Sequence, residues 1–565
     1  MNWKSRQMTR WLILLNGLFL VVWVNMLAET WPVRIDLTEE GRYSISEPTK
    51  ELLRNLDEVV YVEVYLEGEL PSNLKRLQKS IRETLEEFSV YGGKNLEFTF
   101  KNPVAGGSRQ AQEKMMMELS AKGIQPTDLS YTKDGNTVRR RLYPGALISY
   151  GGLEAGVMLL KGNKGDGNEE LLNQSIEGVE YNLAYAIKQL VNNDRKRVGV
   201  VVDHYSIDTL ALAGFQSLLM EKYEVSAIQL ASQVQPLAGF DAIVVAKPSV
   251  EFSENEKYLL DQYVMSGGKL LFFIDALSVD MAGAEGAGTI AFPIEHNLTD
   301  LLFNYGARIN QDFVQDLSCG EFLVIDGMVG DQPQVKLIPW PFFPEVNRFS
   351  DHPVVKNLDA VIFRFTSTID TVKADGIVKT PLMFTSERSR VLSSPVRVNL
   401  NDIRGGINPE TFNQGSQPVA YLLEGPFSSL YRNRTLPRGV NKTGFREKGV
   451  PSKIVVVADG DFIRNELNPE NGQPMELGID PISQKVYANK DFIVNALEYL
   501  MDDDGLILAR NREVKIRPLD KQKIDESRTF WQVLNLAGPL VLLLLFGIAK
   551  MFLRKRKYTR FQGHA

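Results

Sequence analysis

The sequence predicts an α/β protein held in a membrane at both ends, and three observations predict it. Each end carries one apolar, uncharged run with basic residues on the side away from the middle. Between the runs, short apolar strands alternate with amphipathic helices, first in a small set and then in a larger one. With 44% hydrophobic and 24% charged residues, the chain has the composition of folded protein rather than of a disordered or mucin-like stalk.

At the front, residues 1–10 form a tail bearing Lys4, Arg6 and Arg10, and residues 11–28 form an uncharged run from Trp11 to Ala28. At about 1.5 Å per residue this run spans about 27 Å, just enough to cross the hydrocarbon. At the back, the run from Trp531 to Ala549 is uncharged, and Lys550, Arg554, Lys555, Arg556, Lys557 and Arg560 follow it. Residues 531–552 are the second expected span and 553–565 the second tail. Lysine and arginine stay on the cytoplasmic side, so both termini are expected in the cytoplasm and the bulk in the periplasm of a bacterial inner membrane. Trp11, Trp23, Trp31 and Trp531 stand at or near the ends of these runs, where amphipathic rings favour the headgroup layer. Asn16 and Asn25 are the only strongly polar residues of the first run, and a polar amide in lipid predicts contact with a partner helix. The alternative for this run is a cleaved signal peptide. Asn25-Met26-Leu27-Ala28 offers no small-x-small pair before Glu29, so a retained anchor is expected.

Residues 29–165 read as a small α/β domain. Ser46-Glu47-Pro48 precedes a short helix with Leu52, Leu53 and Leu56, and in the strand from Val59 to Leu66 valines 60, 62 and 64 alternate with polar neighbours. Leu74, Leu77, Ile81, Leu85 and Phe88 lie three or four apart, one stripe of a helix stopped by Gly92-Gly93. Leu96 to Phe100 is the next strand, and Ala146 to Tyr150 with Val157 to Leu160 flank Gly151-Gly152 as a hairpin. Strand, helix, strand and hairpin in this order predict a thioredoxin-like arrangement without its redox cysteine pair.

The loop Gly162 to Asn168 marks a boundary, and residues 170–505 read as a second, larger domain. Its first helix aligns Ile176, Val179, Leu183, Ile187 and Leu190. Strands at Val198 to Val202, Val225 to Leu230, Ala242 to Ala246 and Lys269 to Ile274 alternate with helices at Leu210 to Tyr223 and Glu254 to Met265, the latter opened by a Ser253/Glu256 capping box. Continuous apolar strands of this kind predict a parallel sheet covered on both faces. Ile454 to Ala458 is one more such strand, and a helix near Asp491 to Leu500 closes the unit. The insertion 276–450 reads as irregular, and 506–530 as a juxtamembrane segment.

Charge and residue inventory exclude several functions. The formal charge of −6 conceals nine positive charges in the two flanks, so residues 29 to 530 carry −15. A surface this acidic argues against nucleic acid or anionic lipid as the main partner. Cys319 is the only cysteine, which excludes an internal disulfide and cysteine-pair zinc sites. No Gly-x-x-x-x-Gly-Lys-Ser/Thr loop is present, so ATP hydrolysis belongs elsewhere.

Asp203, Asp275, Asp459 and Asp461 each follow an apolar strand, at the edge where open α/β sheets place ligands. Together they are candidates for a hard cation; singly, each is a helix cap or turn residue. Cys319 with His296 or His352 would be the pair of an amidotransferase-like hydrolase, but the turn where such enzymes carry their nucleophile reads Lys247-Pro248-Ser249. Arg432, Arg434, Arg438, Lys442, Arg446 and Lys448 carry, with Glu447, a local charge of +5. That stretch is a contact for an acidic partner or lipid headgroups, or a solvated loop. Trp340, Phe342 and Phe343 among prolines read as a strap over the core.

Several motifs carry a resemblance. Asp36-Leu37-Thr38-Glu39-Glu40-Gly41-Arg42-Tyr43-Ser44-Ile45-Ser46 resembles the opening of auxiliary subunits of ABC-2 type transporters. Val62-Glu63-Val64-Tyr65-Leu66-Glu67-Gly68, Tyr143-Pro144-Gly145-Ala146, Ile176-Glu177-Gly178-Val179-Glu180-Tyr181, Asp351-His352-Pro353-Val354 and Leu423-Glu424-Gly425-Pro426-Phe427 are similar to the gliding-motility-associated (GldG) family of the Bacteroidota. The resemblance implies a non-enzymatic membrane subunit without a cofactor, working with a separate ABC permease and ABC ATPase in gliding or linked secretion. A homo-oligomer stays open. It also implies that the larger domain is a non-catalytic relative of amidotransferase-like folds, an amidotransferase-like or flavodoxin-like parallel sheet. The alternative function is a tethered periplasmic protein that binds glycan or peptide, and after it a degenerate hydrolase.

Overall fold

The structure is a computed structural model that describes residues 3–30, 44–103, 108–133, 136–160, 169–192, 195–204, 209–232, 237–329, 332–403, 406–440, 444–481, 483–511 and 521–559. The opening motif at 36–43 and the loop at 162–168 lie outside the described residues. Residues 1–512 and 513–565 form two separate units.

The smaller sheet has four strands, in the order Leu96–Phe100, Val60–Val64, Gly145–Tyr150, Leu153–Met158. The first two are parallel and the remaining neighbours antiparallel. Val60, Val62 and Val64 are fully buried, as the alternation requires, and meet Leu77, Ile81, Leu85 and Phe88 of helix Ser72–Gly92. The hairpin turns through Gly151 and Gly152, both at positive φ (56° and 82°), the backbone that a two-residue turn matched to strand twist demands. Helix Glu169–Val191 completes this core with Val179, Leu183, Ile187 and Leu190. The sequence puts that helix at the head of the second domain; periodicity identifies its apolar face but not which sheet receives it. Helix Arg109–Ala121 and the hairpin Thr127–Lys133/Asn136–Leu142 are additional elements.

The larger sheet has eight strands. Five are parallel, in the spatial order Lys448–Val457, Lys269–Phe273, Ala242–Ala246, Arg197–Val201, Glu224–Ile228. Counted along the chain this is the order 2-1-3-4-5 of doubly wound sheets, with the reversal between Arg197–Val201 and Ala242–Ala246. Both faces are covered, which explains the uninterrupted apolar runs. Ala242, Val244 and Ala246 face helices Thr209–Lys222 and Asn489–Met501, while Ile243 and Val245 face helix Glu254–Met265.

The stretch 276–450 is not irregular. It supplies the strands Arg348–Phe349, Val378–Phe384 and Pro418–Ser428, which extend the large sheet antiparallel from Lys448–Val457. It also folds a long hairpin, Cys319–Val329 with Gln332–Val346, whose Trp340 and Phe342 are buried against Phe313 and Phe365. Prolines 333, 339, 341 and 344 within one strand conceal it from a reading by pattern, since proline marks edge strands and breaks.

Helix Trp3–Thr30 carries a shorter apolar stretch, Leu14–Val24. In the second unit, helix Lys521–Thr559 contains the one segment among the described residues long and apolar enough to cross a membrane, Ser527–Arg556.

Candidate functional site

The parallel strands of the large sheet end on one edge, and two groups of charged side chains stand there. In the first, Lys247 follows strand Ala242–Ala246, Asp275 follows Lys269–Phe273, and Asp459 and Asp461 follow Lys448–Val457. The Lys247 ammonium lies 3.0 Å from Asp275 Oδ2 and 2.5 Å from Asp461 Oδ2. Backbone N–H groups complete the net: Gly460 donates to Asp275 (2.5 Å), Arg364 and Asp461 donate to Asp459 (2.6 and 2.7 Å). Gly460 is obligatory for this approach, because a Cβ there would sit 2.6 Å from Lys247 Cγ and 3.0 Å from Asp275 Oδ2.

Lys247 itself adopts φ = 40°, uncommon for a side-chain-bearing residue and set before Pro248, at a cost of about 1–3 kcal/mol. The turn after strand Ala242–Ala246 is thus strained and holds a lysine clamped between two carboxylates. Burial alone would lower the Lys247 pKa, but Asp275 and Asp461 outweigh it and raise it, so the ammonium stays charged and unsuited to attack. Burial raises the Asp275 carboxyl, and raises Asp459 much further with the charges of Asp275 and Asp461 added. Asp461 goes the other way: burial is overcome by Lys247, Arg464 and Arg364, which hold it below its ordinary value.

The second group lies at the point where strand order reverses. Asp203 Oδ2 accepts from the Ala231 N–H (3.0 Å). His204 packs its ring on Phe252, with centroids 3.8 Å apart, and contacts the Val250 carbonyl through Nδ1 at 3.2 Å. Its Nε2 lies 3.2 Å from Glu256 Oε1 and 3.8 Å from Asp203 Oδ1. Glu256 closes the capping box with Ser253 and is held below its ordinary pKa: burial pushes it up, and Ser253 and His204 outweigh that.

The four strand-end aspartates therefore divide, three around Lys247 and Asp203 apart. Sequence reasoning missed Lys247, His204 and Glu256 as members. The Lys-Pro-Ser turn directly after a buried strand was the available signal for the first, and no local signal joins Glu256 to Asp203. Asn16 donates its amide to the Leu12 carbonyl of its own helix (3.0 Å), and the Asn25 side chain lies outside the described residues. Of the basic stretch, Arg434 pairs with Asp300 (2.6 Å), Arg432, Arg438, Arg446 and Lys448 are exposed, and Lys442 lies outside the described residues.

Among the described residues no hydrogen bond joins Cys319 to His296 or His352. Burial, then Asp316, Glu345 and Glu321, push the Cys319 thiol up to about 12. Burial lowers both histidines to about 4, and each accepts a backbone N–H at Nδ1. A neutral thiol among carboxylates is a poor nucleophile.

A cleft of about 500 Å³ opens between strand Leu153–Met158 and helices Glu169–Val191, Thr209–Lys222 and Asn489–Met501. Tyr181 donates to Glu498 (2.5 Å), Lys222 pairs with the other oxygen of Glu498 (3.3 Å), and the buried Tyr223 hydroxyl has no hydrogen-bond partner among the described residues.

Comparison with known proteins adds the family. An uncharacterized protein of Borreliella burgdorferi is 20% identical over 537 residues, covering 93% of this chain and 94% of its own. Among solved structures, the mmIFT52 N-terminal domain aligns at 14% identity over 54% of this chain and 98% of its own, with a TM-score of 0.29. The exo-β-1,4-mannosidase Op5Man5 from Opitutaceae bacterium strain TAV5 aligns at 11% identity over 71% and 47%, with a TM-score of 0.20. Superpositions this loose carry no argument. Residues 39–149 match a domain of unknown function (DUF7088). Residues 195–496, more than half of the chain and both charged clusters with it, match the family described as an ABC-type uncharacterized transport system, and the chain belongs to that family of ABC transport auxiliary proteins.

Proposed function

We infer that the protein is a membrane-anchored, non-enzymatic subunit of an ABC transporter, assembled with a separate permease and ATPase in the bacterial inner membrane. The observation that carries this reading is the transport-auxiliary match across residues 195–496. The apolar segment Ser527–Arg556 supports an anchor, and the basic residues outside both apolar runs support cytoplasmic termini with a periplasmic body. The thioredoxin-like reading of residues 29–165 draws support from the order of its four strands, and the amidotransferase-like or flavodoxin-like reading of 170–505 from the 2-1-3-4-5 order. The role in gliding or linked secretion rests on the motif likeness alone. Full-length protein extracted in mild detergent is expected to copurify with an ABC permease and an ATPase. Recovery of intact protein without either would overturn the assignment.

A second reading, a tethered ligand-binding protein, is favoured by the tyrosine-lined cleft and its unpartnered Tyr223 hydroxyl. In the same preparation that reading expects protein recovered alone whose melting temperature rises with added oligosaccharide or peptide.

A further inference from the structure

We propose that Asp203, His204 and Glu256 bind a divalent transition-metal ion, zinc or manganese, at the carboxyl edge of the large sheet. A carbonyl oxygen only accepts, so the 3.2 Å contact between His204 Nδ1 and the Val250 carbonyl requires the proton on Nδ1. Nε2 then faces two carboxylates, Glu256 Oε1 at 3.2 Å and Asp203 Oδ1 at 3.8 Å. Three acceptors converging this closely are stabilised by a cation between them. A second ring proton would lie along one line and serve Glu256, which leaves Asp203 Oδ1, a buried oxygen, without a hydrogen-bond donor among the described residues. An ion touching all three atoms satisfies every one.

The spacing suits such an ion. The three ligand atoms lie within 4.8 Å of one another. Two atoms each about 2.1 Å from a metal at octahedral or tetrahedral angles are about 3.0–3.4 Å apart. The His204–Glu256 distance falls in that range, and Asp203 Oδ1, 3.8 Å from His204 Nε2 and within 4.8 Å of Glu256, has to move inward to complete the set. The remaining atom of each ligand is already held: Asp203 Oδ2 by the Ala231 N–H, Glu256 Oε2 by the Ser253 N–H and hydroxyl (2.7 Å each), His204 Nδ1–H by Val250. Outer contacts of this kind fix the tautomer and aim of metal ligands.

One imidazole with two carboxylates favours zinc or manganese over calcium, which takes oxygen alone. Three protein ligands leave a position for water or for an oxygen of a further ligand. The His204 and Glu256 side chains are 6% and 7% exposed and that of Asp203 18%, so an ion enters past Asp203. Reversal of strand order beside the group is the general location of ligands in sheets of this kind.

The test uses full-length protein in detergent, stripped with a chelator and titrated calorimetrically with zinc chloride. One ion per chain is expected, held at least about tenfold more weakly by Asp203→Asn and by His204→Gln. Because either variant can perturb folding, the wild type is also loaded with manganese and examined by pulsed electron paramagnetic resonance, where coupling to an imidazole nitrogen is expected. Absence of binding at micromolar metal, binding unchanged in both variants, or manganese without nitrogen coupling would each overturn the proposal.

Discussion

Two charged clusters share one edge of the large sheet and meet the same difficulty in opposite ways. Around Lys247 the chain supplies its own cation, and the ammonium bridges Asp275 and Asp461 from a third strand. Around His204 two carboxylates converge on a ring nitrogen, and no lysine or arginine pairs with either among the described residues. A carboxylate taken out of water is stabilised by hydrogen-bond donors or by a cation beside it. Where the partner is covalently part of the fold, the cluster is a clamp joining strand ends; where it is not, the cluster is a receptor for something that brings charge with it.

The largest effect should come from removing the internal cation. Lys247→Met leaves the buried Asp275 without its counter-charge and Asp461 with the more distant Arg464 (3.8 Å), and breaking a buried pair from one side costs about 3–5 kcal/mol. In urea unfolding of the full chain in detergent, the midpoint is expected to fall while the slope stays fixed. Adding Asp461→Asn should restore part of the loss, since it removes one of the stranded charges. A loss below about 1 kcal/mol, the scale of a surface ion pair, would erase the distinction between the clusters.

The clamp also depends on close approach. Gly460→Ala sets a methyl against Lys247 at distances that real Cβ atoms do not tolerate, and tightly against Asp275. The Gly460 backbone, at φ = −78°, accepts alanine without strain, so the cost reports the displaced ion pair. About 1–3 kcal/mol is expected, read from the same unfolding curve. Zinc affinity at His204 should be untouched, since Gly460 contacts the first cluster and not the second.

The parts of this edge that were legible in the sequence are those fixed by local pattern. Strands ending at Ala246 and Phe273 announce themselves because both faces are buried and no polar residue interrupts them. The Ser253/Glu256 capping box and the Gly151-Gly152 turn are equally local. Asp203, Asp275, Asp459 and Asp461 were visible as strand-end residues, because a parallel sheet sends every carboxyl end to one side. Their partners were not. Lys247 meets Asp461 only after the strands between them pair in order, and Glu256 looked complete as a helix cap while its second oxygen served His204. The strands of 276–450 were hidden for a different reason: prolines tolerated at irregular pairings interrupt the alternation that would reveal them.

The smallest effect belongs to a third group that lies nearer the surface and so measures what exposure does to the comparison. Asp300 accepts from Lys257 (3.1 Å) and Arg434 (2.6 Å), and Lys257 also pairs with Glu254 (2.7 Å). Burial pushes both carboxyls up, but their cationic partners outweigh it and hold Asp300 and Glu254 below their ordinary values of 3.8 and 4.5. A carboxylate whose pKa is depressed on folding contributes stability that is present above its unfolded value and lost as pH falls through the folded one. Unfolding measured from neutrality into acid should therefore lose this contribution below those values, and Arg434→Ala should shrink the acid-side loss. Arg434 is 47% exposed, so its removal should cost no more than about 1 kcal/mol at neutral pH, less in high salt. If Arg434→Ala proved as damaging as Lys247→Met, burial would not be what separates clamp from surface pair. The basic stretch around Arg434 would then be a structural strap of this domain, with its charge engaged inward rather than available to an acidic partner or a lipid headgroup.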